Sequence, residues 1–135
     1  MKVESTIREE LYKYIKQSPL ASAVSGSLCK YEEERPDKKA EDIVIVPLTE
    51  VPIEQLQETI VLVRIYVADL FDATNNLYRA DGIRLRELEN ICFKTFGVFR
   101  TQEARCRLES IKTFKVEAKN EHCIVNRINY KYCNN

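Results

Sequence analysis

Residues 58–69, ETIVLVRIYVAD, are apolar at almost every position, with one arginine in the middle. Such a run reads as a β-strand, in which Val61, Val63, Ile65 and Val67 point to one side. Ile60, Leu62, Arg64, Tyr66 and Ala68 point to the other. Antiparallel sheets in small domains commonly leave one face to water. A strand that is apolar on both faces needs cover on both, and this demand restricts the fold more than any other stretch.

The rest of the chain alternates between helical and strand periods. Ile7, Leu11, Tyr14 and Ile15 form one stripe of an amphipathic helix over residues 4–17. It should end near Ser18, before Pro19. ASAVSGS reads as a loop, LCKYEEERP as an edge strand stopped by Pro36, and RPDKKAED as a solvated turn. DIVIVPL is a short β-branched strand, followed by the loop TEVPIEQLQE. After the opening stretch, LFDATNNLYRA reads as a long connector whose Asp and Asn residues favour turns. Residues 81–96 place Leu85, Leu88, Ile91/Cys92 and Phe96 at helical spacing, with Gly97 expected as a left-handed cap. SIKTFKVEA and HCIVNRINYKYC flank the turn KNE as a terminal hairpin. The expected order is therefore α-β-β-β-α-β-β. It describes an α+β fold with a largely antiparallel sheet and two helices packed on one face. A length of 135 residues fits a single domain spanning 1–135.

Two helices cover one face of such a sheet. The other carries Ile60, Leu62, Arg64 and Tyr66 from the third strand and Arg127 from the last, and these five are the expected interface. Arginine is enriched in apolar contact surfaces, which suits Arg64 and Arg127. Two covers stay open: another subunit, or loops 49–57 and 69–80 folding back while Arg64 reaches water along its stem.

No residue set announces catalysis. Phosphate-loop, nucleophile-elbow, dinucleotide and zinc-protease motifs are absent. The lone histidine, His122, precedes Cys123 in a strand, where neighbours point to opposite faces; it reads as a surface or capping residue. Five irregularly spaced cysteines predict reduced, mostly buried thiols and neither a disulfide framework nor a structural zinc site. The run Glu32-Glu33-Glu34 reads as solvated rather than as a cation site. No cofactor, metal or catalytic residue is expected. The longest aliphatic run, Ile60–Val63, is far short of the ~20 residues of a membrane helix. The mixed-charge N-terminus does not read as a signal peptide, so synthesis is expected to leave the chain inside the cell. Arg100, Arg105 and Arg107 form a basic cluster that is a weak nucleic-acid signal without interleaved aromatics. Net charge is zero but polarised: residues 1–78 hold 9 Lys/Arg against 14 Asp/Glu, and residues 79–135 hold 12 against 7. That layout suits head-to-tail contact between copies or with unlike partners, against the plainer reading of a chance asymmetry folded into an even surface.

In the order and texture of its elements the chain resembles the small tail-completion, or tail-terminator-like, proteins of long-tailed bacteriophages and prophages. The resemblance rests on IREELYKYIKQ, ASAVSGSLCKYEEERP, TIVLVRIYVADLFD, IRLRELENICFKTFG and HCIVNRINYKYC, and covers residues 4–132. It implies a non-enzymatic structural protein that assembles as a hexameric ring, caps the tail tube and meets the head connector. It also implies assembly in the bacterial cytoplasm and residence in the virion tail. No individual contact residue carries over from it. Two other readings remain: a small bacterial nucleic-acid-binding or protein-interaction module using the basic half, and an enzyme built around Cys123 and His122.

Overall fold

The computed structural model describes residues 4–35, 40–48, 58–117 and 119–132. Helix α1 (Glu4–Lys16) buries Ile7, Leu11 and Ile15 completely, the stripe read from the sequence. Pro19 then starts a second short helix, α2 (Pro19–Ala23), rather than a loop. Proline suits the first helical turn because its missing N–H is not needed there. Helix α3 (Gly82–Phe96) opens on Asp81, whose carboxylate accepts the Arg84 N–H at 3.1 Å. It buries Leu85, Leu88, Cys92 and Phe96.

The described residues form eight strands, β1 (Leu28–Cys29), β2 (Ile43–Leu48), β3 (Glu58–Ala68), β4 (Leu70–Asp72), β5 (Leu77–Arg79), β6 (Val98–Arg100), β7 (Ala104–Lys115) and β8 (Glu121–Tyr132). Six form one mixed sheet in the order β1-β2-β3-β8-β7-β6, with only the β1–β2 pair parallel; β4 and β5 form a separate two-stranded sheet. The fold is α+β. The element order is richer than α-β-β-β-α-β-β by α2, the β4–β5 hairpin and β6.

The face of Val61, Val63 and Ile65 continues across Ile43 and Ile45 of β2 and Ile124 and Ile128 of β8, which are their register partners. Together with side chains from α1, α2 and α3 these form one buried cluster. Each fully buried aliphatic side chain contributes about 1.5–3 kcal/mol. Asn126 sits among them and donates to the Val63 carbonyl at 3.1 Å, a polar bond that favours this register over its neighbours.

Several local expectations change. The stretch LCKYEEERP pairs only at Leu28 and Cys29, and Glu32–Glu34 form a 3₁₀ turn instead of continuing a strand. Within RPDKKAED, residues 36–39 lie outside the described residues, and Asp42 is fully buried rather than solvated. Within the small-residue stretch Gly26 tolerates no side chain: a Cβ there would lie 2.3 Å from Asp42 Oδ1. The loop 49–57 lies outside the described residues.

The connector LFDATNNLYRA is a hairpin. Asp72 accepts the Thr74 and Asn75 backbone N–H groups, and Asn76 takes the left-handed conformation that closes the turn. Gly97 is not a left-handed cap. Its φ of −46° keeps it right-handed, and its carbonyl accepts the Leu108 N–H at 3.1 Å, drawing the helix end directly into the sheet. In β7 the register shifts between Leu108 and Ser110. Before this bulge Cys106 and Leu108 share the core face with Tyr130 and Ile128; after it Ile111 and Thr113 do so, opposite Asn126 and Ile124.

Candidate functional site

Register places all eight residues singled out from the sequence on the sheet face away from the main core. Leu62 lies opposite Arg127 on one side and Val46 on the other. Ile60 is opposite Asn129, Arg64 opposite Val125 and Tyr66 opposite Cys123. Arg107 is opposite Asn129, Arg105 opposite Lys131, and Arg100 opposite Arg105. The sequence treated the apolar set and the basic set as separate features. The sheet makes them one surface, with two very different ends.

At the Tyr66 end the chain seals its own face. Residues 30–35 fold across it, and Arg35 lies over the Tyr66 ring at 3.9 Å. Its guanidinium bonds Asp42 at 3.0 Å and Glu121 at 3.2 Å, with all three side chains nearly or fully buried. Burial works against the Arg35 charge, but the bonds to Glu121 and Asp42 outweigh it and hold its pKa above the ordinary value. The Tyr66 hydroxyl donates to Glu32 at 2.9 Å, and burial followed by that bond pushes its pKa up. Beneath this lid Cys29, Val44, Tyr66 and Cys123 form a second small core. Arg8 pins the same segment by donating to the Lys30 carbonyl and lying 4.2 Å from the Tyr31 ring centroid. Tyr66, expected at an open interface, is therefore already covered.

Towards the other end no described element lies over the face. Ile60, Leu62 and Arg64 are half-buried, whereas Arg100, Arg105, Arg107 and Arg127 are exposed. Arg127 pairs with Glu109 at 3.1 Å. Among the described residues no carboxylate pairs with Arg100, Arg105 or Arg107. A shallow groove of about 370 Å³ runs here, lined by Glu58, Val98, Arg105, Cys106, Arg107, Glu109, Asn129 and Lys131.

The β4–β5 hairpin adds a second apolar surface that the sequence reading missed. Leu70, Phe71, Leu77 and Tyr78 are each about half exposed, and Phe71 and Tyr78 pair with ring centroids 5.1 Å apart. The available signal was two apolar pairs flanking an Asp/Asn-rich turn. Every residue from Leu70 to Ala80 except Asp72 is exposed, so the hairpin does not fold back as a cover.

Elsewhere several groups that could carry chemistry are committed to structure. His122 is not a simple surface residue: its Nδ1 lies 2.6 Å from Asp69, while adjacent Cys123 faces the second core. Burial pushes the Cys123 and Cys92 thiols up to about 12, where neither is a thiolate at neutral pH. The four described cysteines are buried and unbridged; Cys133 lies outside the described residues. Glu34 accepts the Lys30 N–H at 2.9 Å, so the acidic run closes a turn. Among the described residues no group of three or more His, Cys, Asp or Glu is placed to hold a metal. No described helix is long and apolar enough to cross a membrane. A pocket of about 480 Å³ between α1 and α3 is lined by Tyr14, Gln17, Ser18, Pro19, Ile91, Lys94 and Thr95, and the Tyr14 hydroxyl is already given to the Thr95 carbonyl at 2.6 Å.

No protein-family model matches this chain, and no curated protein matches it.

Proposed function

We propose that this chain is a non-enzymatic assembly protein of the tail-terminator type, forming a ring at the end of a phage or prophage tail and meeting tail-tube and head-connector proteins there. The observation that carries this reading is the uneven cover of one sheet face. Residues 30–35 seal its Tyr66 end, while Ile60, Leu62 and Arg64 continue the same face with no described element over them. A half-apolar face flanked by arginines is the composition of a contact surface. The exposed apolar hairpin at Leu70–Arg79 supports the same class of role. In this reading the protein works in the bacterial cytoplasm during assembly and ends in the virion.

A nucleic-acid module draws on Arg100, Arg105 and Arg107 alone. Glu58 and Glu109 line the same groove, and phosphate-binding surfaces gain affinity from charge of one sign. A protein partner fits the mixed pattern better.

The test compares wild type with Leu62→Asp by sedimentation at high concentration and in a tail-assembly assay. Loss of assembly with an unchanged urea midpoint is the expected result. A folded variant that assembles as well as wild type would remove this face from the interface.

A further inference from the structure

Resting on that self-assembling reading, we propose that the arginine corner of the sheet is the docking surface for the Glu32–Glu34 turn of a second copy of this chain. Arg100 and Arg105 are direct cross-strand partners, and both are exposed. Like charges placed opposite each other on neighbouring strands repel. Among the described residues nothing of opposite charge pairs with either, nor with Arg107 beside them. This contrasts with Arg35 and Arg84, each of which holds two carboxylates. An anionic occupant turns the repulsion into attraction.

The chain supplies that occupant at the opposite edge of the same sheet. The order β1-β2-β3-β8-β7-β6 puts the turn after β1 at one edge and Arg100, Arg105 and Arg107 at the other. Glu32, Glu33 and Glu34 are exposed; the Glu32 carboxylate accepts from the Tyr66 hydroxyl and the Glu34 carboxylate from the Lys30 and Tyr31 backbone N–H groups, all neutral donors. No cation pairs with them among the described residues. The turn is also pre-formed, held by Arg8 and Arg35 from its two sides, so docking costs little ordering. Complementary patches at opposite edges make a heterologous contact, which each copy offers once and accepts once. A contact of that kind closes into a ring when the rotation between copies allows.

The experiment uses Arg105→Glu, Arg107→Glu and Glu33→Lys in the full chain, each checked for an unchanged urea midpoint and then followed by sedimentation over concentration. Each is expected to weaken self-association at least tenfold. An equimolar mixture of Arg105→Glu with Glu33→Lys is expected to recover it, because each variant then presents the charge the other lacks. Wild-type association is expected to fall between about 0.05 and 0.5 M salt, as exposed pairs are screened over that range. Variants that associate like wild type, or a mixture no better than its components, overturn the pairing. If Leu62→Asp still abolishes assembly in that case, the broader reading stands and this contact alone falls. A wild type that stays monomeric at about 1 mM removes both. Salt-sensitive DNA retention that is lost in Arg105→Glu, with association unchanged, reassigns the corner to nucleic acid.

Discussion

Arg35 and Arg105 face the same side of one sheet, at opposite ends of β8, and they show two uses of the same side chain. Arg35 meets Glu121, the first residue of that strand, and is taken out of water with two carboxylates and an aromatic ring around it. Arg105 lies beside Lys131 near the other end and stays in water. The first holds the chain onto itself. The second is available to another molecule. Intermediate in exposure is Arg84, which reaches from α3 to Glu41 at 2.7 Å and to the Ala23 carbonyl.

Removing Arg35 tests the internal end. Arg35→Ala leaves Asp42 and Glu121 buried without their counter-charge and uncovers Tyr66, so a loss of about 3–5 kcal/mol is expected in urea denaturation. A loss below about 1 kcal/mol would show that the lid is not a fixed part of the fold.

The intermediate arginine gives a smaller, pH-dependent effect. Hydrogen bonds from Arg84 outweigh burial and hold the Glu41 carboxyl below its ordinary 4.5. A lowered pKa in the folded state contributes stability above the unfolded value, and that contribution disappears as pH falls through the folded one. Glu41→Gln should cost about 1.5–3 kcal/mol at neutral pH. The difference from wild type should shrink below pH 4.5, and one that widens on acidification would contradict the assignment.

Tyr66→Phe removes only the hydroxyl given to Glu32 and leaves the ring under Arg35. The expected cost is about 0.5–1.5 kcal/mol by the same measurement. Arg107→Ala should have the smallest effect on stability, within about 0.5 kcal/mol, since it breaks no internal pair. A large loss there would erase the contrast between the two ends.

How much of this was legible depended on how far each determinant lies along the chain. The stripes of α1 and α3 and the alternation of β3 are local periodicities, and Ile7, Leu85 and Val63 are buried as their spacing required. The lid was not legible, because Arg35 finds Glu121 across 86 residues and nothing in YEEERP signals that pairing. The right-handed conformation of Gly97 is not legible locally, because the partner of its carbonyl comes from a strand later in the chain. The candidate surface was half legible. Alternation put Ile60, Leu62 and Arg64 on one side, but only the register of β6, β7 and β8 shows that Arg100, Arg105 and Arg107 join them. The bulge after Leu108 reverses the alternation of β7, so no single period describes that strand.

The sheet order also leads to an expected sequence of events in folding. The β7–β8 hairpin is local, joined through residues 116–120, and hairpins of this kind form in about 1–10 μs. The β3–β8 pair is not local: Ala68 meets Glu121, with the β4–β5 hairpin, α3 and β6 all lying between them in sequence. Closing so long a loop comes after the local hairpin in the expected order. A φ-value near 1 at Ile65 with values near 0 in β7 would reverse it. Until β3 arrives, β8 presents one unpaired edge bearing Ile124 and Ile128. At that stage a newly made chain is open to pairing with the wrong strand of another copy, so crowding during synthesis bears on yield through the centre of this sheet rather than its rim.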